Sequence, residues 1–281
     1  MTQDMPDIPA VQGAMTFAID TGEKPATFPT ELDVHTGVAR STGRYETRNV
    51  SIQNGRLVRH ELDLDNQGFI LVDHISSVSN FYDETAVSDT YYNECITLVK
   101  QLTGVEKVAI FDHTIRIEDT AKRNTDETYR APVRSVHNDY TDWSAPKRVK
   151  EILPKIEAED CLKRRYIMVN VWRPIMEPVL TWPLVLCDAK SMRPEDMIAA
   201  DHIYPNRRGE TFRTAYSDGQ QWYYFPKMKM KEVVILKCFD SEKDGRARHS
   251  AHGAADLAGE PPSDYIPRES IEVRTIGFYS T

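Results

Sequence analysis

The strongest constraint on the fold is a series of short segments rich in apolar, β-branched and aromatic residues, running from residue 69 to the C-terminus. Such segments are typical of β-strands. Many strands with long, uneven connections favour two packed sheets. The series predicts a mainly β protein with flanking helices and a double-stranded β-helix (jelly-roll) core. The predicted strands are 69–75, 108–117, 132–137, 166–172, 183–187, 222–225, 233–239 and 271–279.

Three helices are predicted beside these strands. Apolar residues recur at helical spacing over 84–103, and Gly104 suits a C-terminal cap. A second helix is predicted from Ser144, whose hydroxyl suits an N-terminal cap, with Pro146 in the first turn. The third predicted helix is 195–200.

The chain is interpreted as one domain with two parts. Residues 1–60, which prolines interrupt, are predicted to form an irregular N-terminal arm with some β character, packed on the core. Residues 61–281 are predicted to form the jelly-roll domain. Within it, 236–265 is rich in Gly, Ser, Asp and Pro and indicates a long loop, which in a compact domain is often functional.

Charge, hydropathy and cysteine spacing exclude several classes of protein. A net charge of -8 argues against nonspecific nucleic-acid binding, which needs clustered basic residues. No run of eighteen apolar residues exists that would span a membrane. The four cysteines are far apart, which disfavours a thiolate zinc site or a disulfide framework. We therefore expect a cytoplasmic protein whose partner is a small molecule, and a homo-oligomer is compatible with the sequence.

One histidine–acid pair indicates a metal site. His137 and Asp139 are two residues apart at the end of a predicted strand, so both side chains can turn toward one point. None of the other seven histidines has an acid two residues later. Two imidazoles and one carboxylate on one face hold ferrous iron in oxygenases and leave positions for a co-substrate and dioxygen. The simpler alternative is a surface or capping histidine.

The third ligand has two candidates, His249 and His252. Downstream of both, Arg268 and Ser270 enter the last predicted strand, where a guanidinium can pair with a carboxylate and a hydroxyl can add a hydrogen bond. Arg274 competes for this role because it lies in the same strand at equal parity. The order of residues favours His252 and Arg268.

Several blocks in a fixed order give a resemblance that no single motif carries. From about residue 69 onward, the chain resembles the nonheme iron, 2-oxoglutarate-dependent oxygenases grouped with fungal gibberellin desaturase and related hydroxylase/desaturases of secondary metabolism. The first sixty residues match only loosely. The matching blocks are 108–116, 136–141, 169–175, 183–191, 221–226 and 266–274.

The resemblance implies roles for the residues already singled out. His137, Asp139 and His252 would hold Fe(II), and Arg268 with Ser270 would bind 2-oxoglutarate. Members of the family usually carry a proline and an aromatic residue around the distal histidine, whereas this chain has Ser-Ala-His-Gly-Ala. That departure keeps His249 as an alternative ligand.

Further residues are assigned to the cofactor and the substrate. The family places the strand of Asn170 and Trp172 near the active site, which implies a role for Asn170 in cofactor binding. Trp172, Arg116 and Tyr140 are the predicted substrate-binding residues. For Trp172 and Tyr140, packing in the core is an equal alternative to substrate binding. For Arg116, the equal alternative is a buried structural salt bridge. Arg173 is expected on the opposite face of its strand, where a structural ion pair is the simpler interpretation.

The predicted activity is that of an Fe(II)/2-oxoglutarate-dependent dioxygenase. It would use O2 to hydroxylate, desaturate or oxidatively cyclise a small metabolite, such as an amino acid or terpenoid, at an unactivated C–H bond. Two alternatives are a nonheme iron oxidase independent of 2-oxoglutarate and a catalytically inactive jelly-roll binding protein. Indifference to 2-oxoglutarate would indicate the first, and failure to bind metal the second.

Overall fold

The computed structural model describes residues 9–32 and 39–280. Over these ranges the chain forms sixteen strands, numbered in chain order across two sheets. The first eight are β1 (Ala10–Ile19), β2 (Ala26–Leu32), β3 (Ala39–Ser41), β4 (Arg44–Asn54), β5 (Phe69–Asp73), β6 (Lys107–Ile117), β7 (His137–Asn138) and β8 (Tyr166–Pro174). The others are β9 (Leu184–Cys187), β10 (Met197–Ile203), β11 (Arg208–Thr214), β12 (Trp222–Tyr224), β13 (Glu232–Asp240), β14 (His252–Ala254), β15 (Asp256–Leu257) and β16 (Glu269–Phe278).

The two sheets pack against each other. In the described part of the chain, the larger has eleven strands, in the order β15-β1-β4-β12-β9-β14-β7-β11-β10-β2-β3. The smaller has five, in the order β5-β13-β8-β16-β6. Trp172 and Leu236 of the smaller sheet join Leu186 and Tyr223 of the larger in one buried cluster between them. This arrangement confirms the predicted mainly β, jelly-roll core.

Short helices flank the sheets. Their bounds are α1 (Glu84–Ala86), α2 (Tyr92–Thr103), α3 (Thr120–Arg123), α4 (Ser144–Ile152) and α5 (Lys155–Cys161). A π-helical turn, Val87–Tyr91, joins α1 to α2, so the helix predicted over 84–103 is confirmed. Gly104 has φ 73°, and its amide donates to the carbonyl of Lys100, as expected for a left-handed cap.

The central strand β8 explains why its sequence is apolar throughout. All nine of its residues are buried, because the strand has the other sheet on one face and helix α2 on the other. Trp172 faces the other sheet, whereas Val171 packs in the cluster beside α2. Arg173 also lies on the α2 side, where its Nε donates to the hydroxyl of Tyr91 at 3.0 Å. Arg173 therefore has a structural role, but the expected ion pair is absent among the described residues: its other hydrogen bonds go to the Met230 carbonyl and the His74 ring.

The expected irregular arm contains more strand than the sequence suggests. Strands β1 and β4 pair from Ala10↔Gln53 to Ile19↔Arg44, and β4 continues the sheet to β12. Strand β1 is half-buried and interspersed with small and polar residues, so it lacks the continuous apolar run that marks β8. Residues 1–8 and 33–38 of the expected arm lie outside the described residues.

The prediction of a helix over 195–200 is wrong. These residues form the end of a 3-10 turn, Pro194–Asp196, followed by strand β10. Strand β10 pairs antiparallel with β11 along its whole length. Cross-strand pairing here overrides the local preference of the Met-Ile-Ala-Ala sequence for helix.

The predicted strand 132–137 is also largely wrong, since only His137 belongs to a strand. Pro132 has no amide hydrogen to donate to a ladder. Farther along, the amide of Val136 donates to Thr16 at 2.8 Å, and its carbonyl accepts from Thr214 at 3.2 Å. His137 is therefore positioned by isolated hydrogen bonds from the preceding residue to β1 and β11, and not by a continuous β-ladder.

Helix α4 begins at Ser144 as predicted, but the hydroxyl that satisfies the amides at its start belongs to Thr141 and not to Ser144. The Thr141 hydroxyl accepts from the amides of Trp143 and Ser144 at 3.2 and 3.1 Å. The Ser144 hydroxyl instead accepts from the amide of Thr141 at 2.9 Å. Each side chain thus satisfies the other's backbone, which fixes the turn directly after the predicted metal motif.

The loop expected over 236–265 is shorter than predicted. Strand β13 continues to Asp240, and β14 and β15 interrupt the segment that follows. Strand β14 pairs with both β7 and β9, so it is part of the larger sheet. His252 therefore stands on a strand and not on a free loop.

A buried ion cluster closes the end of β13. Asp240 is fully buried, and its Oδ2 lies 2.9 Å from Lys237 Nζ and 2.7 Å from Arg165 Nη2. Burial opposes ionisation of Asp240, but the hydrogen bonds from Arg165 and the charge of Lys237 lower its pKa. Its carboxylate therefore stabilises the fold above the ordinary carboxylate pKa, and that contribution is lost as pH falls through the lowered value.

Replacing Asp240 with alanine is expected to lower the free energy of unfolding by about 3 kcal/mol, because buried Lys237 and half-buried Arg165 lose their buried anion and keep only the more exposed Asp65. Asp160→Ala is the matched control: Asp160 pairs with Arg164 at the surface and should cost less than about 1 kcal/mol. Urea denaturation of both variants measures the difference. Equal losses would mean that the cluster contributes no more than a surface pair.

Candidate metal centre and adjoining pockets

Three side chains converge between the two sheets. His137 on β7 lies directly opposite His252 on β14, and Asp139 follows β7 by one residue. The ring centroids of the histidines are 4.5 Å apart. One ligand atom from each of the three residues lies within 4.8 Å of the others. The structure thus brings together the three residues that the sequence singled out.

Backbone carbonyls fix the orientation of both histidines. Nδ1 of His137 donates to the carbonyl of Ser135 at 2.9 Å, and Nδ1 of His252 donates to that of Ser250 at 2.8 Å. Since a carbonyl can only accept, Nδ1 of each ring carries a proton and Nε2 is the nitrogen that remains to bind a metal. Burial and the neighbouring His137 lower the pKa of His252, which favours the neutral form that binds metals.

Contacts to Oδ2 hold the Asp139 carboxylate in place. Oδ1 lies 3.5 Å from His137 Nε2, whereas Oδ2 accepts from Asn170 Nδ2 at 2.8 Å and lies 3.5 Å from Arg274 Nε. Burial opposes ionisation, but His137 and Arg274 outweigh it and hold the pKa of Asp139 well below its ordinary value. The centre therefore offers two imidazole nitrogens and one oriented carboxylate, the donor set of nonheme ferrous sites.

Arg274 is already paired with protein groups. Besides Asp139, it lies 3.1 Å from Glu272 Oε2 and 3.0 Å from Asp112 Oδ1, and it donates to Thr114 at 2.9 Å. Glu272 in turn accepts from Asn170 at 2.9 Å. Asn170 and Arg274 thus form one network around Asp139 and leave little of the Arg274 guanidinium for a ligand.

Arg268 has the opposite environment. It is 3% exposed, forms no ion pair within the described residues, and its Nε has no hydrogen-bond partner. Its other contacts are neutral: it donates to Ser270 Oγ at 3.2 Å and to the Trp182 carbonyl, and it lies 5.0 Å from the ring centroid of Trp172. Burial and nearby Arg116 lower its pKa to about 9. A buried guanidinium without an anion is suited to an acidic ligand.

A narrow pocket of about 20 Å³ connects this arginine with the two histidines. We call it the Arg268 pocket. Arg116, Trp172, Leu184 and Glu272 complete much of its wall. Arg116 donates to the carbonyl of Ala131 at 3.1 Å and lies 3.9 Å from Glu272 Oε2, so it is in part a buried structural pair.

A second cavity, of about 260 Å³, has Asp139 in its wall. We call it the hairpin cavity, because β10 and β11 form one side and α4 the other. Tyr140 lines it, whereas Trp143, which also follows the metal motif, is 45% exposed, with Lys147 Nζ 4.8 Å from its ring centroid. The three converging residues therefore lie between a small pocket and a larger one.

Two residues near the centre were missed by sequence reasoning. His202 lines the hairpin cavity, and Arg213 lies opposite His137 in the pairing of β11 with β7. Burial and the charge of Arg213 lower the pKa of His202 to about 4. Recognising a β10–β11 hairpin in the sequence would have indicated both residues. Its first strand was instead predicted as a helix.

His249 lies outside the converging group. Its ring packs against Phe212 and Phe239, with centroids 5.2 and 5.8 Å away, and its Nδ1 is 3.3 Å from the carbonyl of Cys238. Burial lowers its pKa to about 4. The alternative distal histidine thus has a packing environment of its own.

The described helices include none that is long and apolar enough to cross a membrane. All four cysteines, which lie in the described part of the chain, are buried and unpaired: Cys95, Cys161, Cys187 and Cys238.

Known proteins match nearly the whole chain. A family model described as an oxidoreductase/YMDC permease-like domain matches residues 15–278. The hydroxylase/desaturase CTB9 of Cercospora beticola is 34% identical over 262 residues, covering 84% of this chain and 78% of that protein. The Fe(II)/2-oxoglutarate-dependent dioxygenase nvfI of Aspergillus novofumigatus is 32% identical over 252 residues, covering 86% and 87%.

The fold is also that of a solved relative. The structure of the iron and alpha-ketoglutarate-dependent endoperoxidase NvfI superposes with a TM-score of 0.86 at 28% identity. The match covers 97% of this chain and 99% of that one.

Proposed function

Because this chain belongs to the family of Fe(II)/2-oxoglutarate-dependent oxygenases that act on small metabolites, we propose that His137, Asp139 and His252 hold its iron. The observation that carries the assignment is the convergence of the three ligand atoms within 4.8 Å, with both histidines oriented by backbone carbonyls. Iron bound there would supply the activation of dioxygen that is coupled to conversion of 2-oxoglutarate into succinate and CO2.

We propose Arg268 as the residue that binds the distal carboxylate of 2-oxoglutarate, with Ser270 beside it. The support is that Arg268 is a buried guanidinium without a carboxylate partner, whereas Arg274 has three. The Arg268 pocket is narrow, so its side chains must move outward to admit the diacid. Burial in this pocket would exclude water from the pair and strengthen it.

The other predicted site residues divide between the two pockets. Arg116 and Trp172 line the Arg268 pocket, so we propose that they contact 2-oxoglutarate and exclude water from it. Tyr140 lines the hairpin cavity, which we propose as the substrate site. The substrate would then be oxidised at an unactivated C–H bond, with hydroxylation, desaturation or cyclisation as the outcome.

Asn170 is proposed to act on Asp139. Its amide donates to the oxygen of Asp139 that faces away from His137, and this leaves Oδ1 for the metal. Since it also donates to Glu272, its contribution to cofactor binding would be to orient the ligand carboxylate.

Replacing Asn170 with alanine is expected to weaken Fe(II) binding about 10- to 100-fold, the usual effect of losing a partner that orients a metal ligand. Anaerobic titration calorimetry with Fe(II) measures it. Thr275→Val is the control, because it removes a buried hydrogen bond of the neighbouring strand β16 that does not touch the centre. An Asn170 variant with wild-type iron affinity would contradict the role.

The experiment that tests the proposed function measures succinate formation with and without added Fe(II) and 2-oxoglutarate. Even without an identified substrate, slow conversion of 2-oxoglutarate is expected, and it should require both additions. Conversion that survives in the His137→Ala variant would contradict the assigned iron centre. Oxidation of a metabolite without 2-oxoglutarate would favour the oxidase alternative.

We also propose that the chain forms one domain and resides in the cytoplasm. The first proposal is supported by β1 and β4, which complete the larger sheet. The second is supported by the four unpaired, buried cysteines.

A further inference from the structure

His202 on β10 lies in the wall of the hairpin cavity, which Asp139 also lines. The residue opposite it on β11 is Gly209, another wall residue, which has no side chain. A Cβ added at Gly209 would lie 3.7 Å from that of His202 and, leaving out its chain neighbours, within 4 Å of no other atom of the described residues. The imidazole is therefore open to the cavity and is not covered by a cross-strand side chain.

Two side chains of β11 fix the tautomer of His202. Its Nε2 lies 3.3 Å from Thr211 Oγ1 and 3.5 Å from Arg213 Nη2. Because a guanidinium can only donate, Nε2 supplies the lone pair. Burial and the charge of Arg213 lower the pKa of His202 to about 4, so the ring is neutral at pH 7. The single N–H of this neutral ring is therefore on Nδ1.

Nδ1 of His202 has no partner of its own. It forms no hydrogen bond with residues 9–32 and 39–280, and it is not among the unpaired atoms that are sealed in the interior of this part of the chain. An N–H that is withdrawn from bulk water favours an acceptor, because an unpaired donor costs free energy. His202 thus offers a free donor in the cavity wall.

The carboxylates of the same wall are already paired. Asp139 is held by Asn170 and Arg274, and each of the others has a cation. These pairs are Asp112–Arg274 at 3.0 Å, Glu151–Arg148 at 3.1 Å and Glu210–Lys24. A carboxylate of the wall is thus not the acceptor for His202.

The groups left to recognise a ligand are mainly uncharged. Among the neutral side chains of the wall, those without a hydrogen bond in residues 9–32 and 39–280 are the hydroxyls of Tyr140 and Tyr204 and Nδ1 of His202. Arg207 is exposed, so water solvates its charge. The arrangement suits a neutral polar atom of a ligand, with His202 as the donor.

We propose that His202 determines substrate specificity by donating a hydrogen bond from Nδ1 to a neutral acceptor oxygen of the substrate: a carbonyl, hydroxyl or ether oxygen. This inference rests on the proposed function, because it takes the hairpin cavity as the substrate site. Since Asp139 lines the same cavity, the bond fixes which side of the substrate faces the iron centre. An analogue that lacks the oxygen leaves the N–H desolvated and unpaired, and it binds more weakly for that reason.

The test uses two small probes of similar shape, cyclohexanone and methylenecyclohexane, which differ in that a CH2 group replaces the acceptor oxygen. Equilibrium dialysis against the protein loaded with Fe(II) and 2-oxoglutarate, under nitrogen, gives a Kd for each probe. The ratio of the two Kd values is compared between wild type and variants, so that the different hydration of the probes cancels. His202→Phe should shift this ratio at least about fivefold against cyclohexanone, the effect of losing one hydrogen bond.

Two further variants make the comparison specific. His202→Asn should keep a ratio near that of the wild type, because its amide NH2 can take the place of Nδ1. His113→Phe is the matched control: its ring contacts Tyr92 on the α2 side of the smaller sheet, away from the cavity, and its loss should leave the ratio unchanged.

The proposal is overturned if His202→Phe keeps the wild-type ratio, if His202→Asn loses it as His202→Phe does, or if the wild type binds neither probe. Iron content and 2-oxoglutarate affinity of each sample report the proposed function separately. Normal values of both with an unchanged ratio would contradict the role of His202 alone, whereas wild-type protein that binds neither iron nor 2-oxoglutarate would contradict the proposed function itself.

Discussion

Replacing His252 with alanine is expected to lower succinate formation at least about 100-fold and to abolish stoichiometric Fe(II) binding. Loss of a group that merely orients a ligand already costs 10- to 100-fold in metal affinity, so loss of a ligand should cost more. The remaining pair, His137 and Asp139, would hold iron only weakly. Anaerobic metal titration and the succinate assay measure the two effects on the same preparation.

His249→Ala is the control that separates the two candidate histidines. His249 is buried against Phe212 and Phe239, so its loss should reduce stability through a cavity but leave one iron bound per chain. The assignment would be reversed if His249→Ala lost iron and His252→Ala retained it.

Arg268→Gln is expected to raise the KM for 2-oxoglutarate about 100-fold while leaving Fe(II) affinity near that of the wild type. Truncating one partner of a buried charge pair costs about 2–5 kcal/mol, and each 1.4 kcal/mol is tenfold in affinity. Arg268→Lys should recover only part of the loss, because an ammonium group cannot form the two parallel hydrogen bonds of a guanidinium. Titration with 2-oxoglutarate under nitrogen measures the Kd of the wild type and of each variant, and these Kd values should differ in the same way as the KM values.

Two variants control for this effect. Arg173→Gln also removes a buried guanidinium but on the α2 side of β8, so it should reduce stability without changing the KM. Arg274→Gln should weaken iron binding, because Arg274 contacts Asp139. A large increase in KM confined to Arg274→Gln would mean that the anchor has been assigned to the wrong arginine.

The elements that the sequence predicted correctly are those that are buried on both faces or that end in a recognisable cap. Strand β8 is apolar throughout because it is covered on both sides, and Gly104 ends its helix in the left-handed conformation that favours glycine. Strand β10 was missed because its fold depends on pairing with β11, a tertiary interaction that local propensity does not encode. The same applies to β1, which becomes a strand by pairing with β4.

For the candidate site, spacing along the chain located the residues but not their partners. His137 and Asp139 are two positions apart in the sequence, and the structure brings both to one centre. In contrast, Arg274 reaches Asp139 because β16 places it opposite Asn170, and Arg213 lies beside His137 because β11 pairs with β7. Register between distant strands decides these contacts, and a single sequence gives no direct measure of register.

The central claim is that the three converging residues form one iron centre, and the most direct measurement is the iron stoichiometry of the wild type and Asp139→Ala under nitrogen with 2-oxoglutarate present. The account predicts one Fe(II) per chain for the wild type and none retained by the variant after gel filtration. Asp142→Ala, which removes an exposed acid three residues away, should bind one Fe(II). Equal iron content in the wild type and Asp139→Ala would contradict the account.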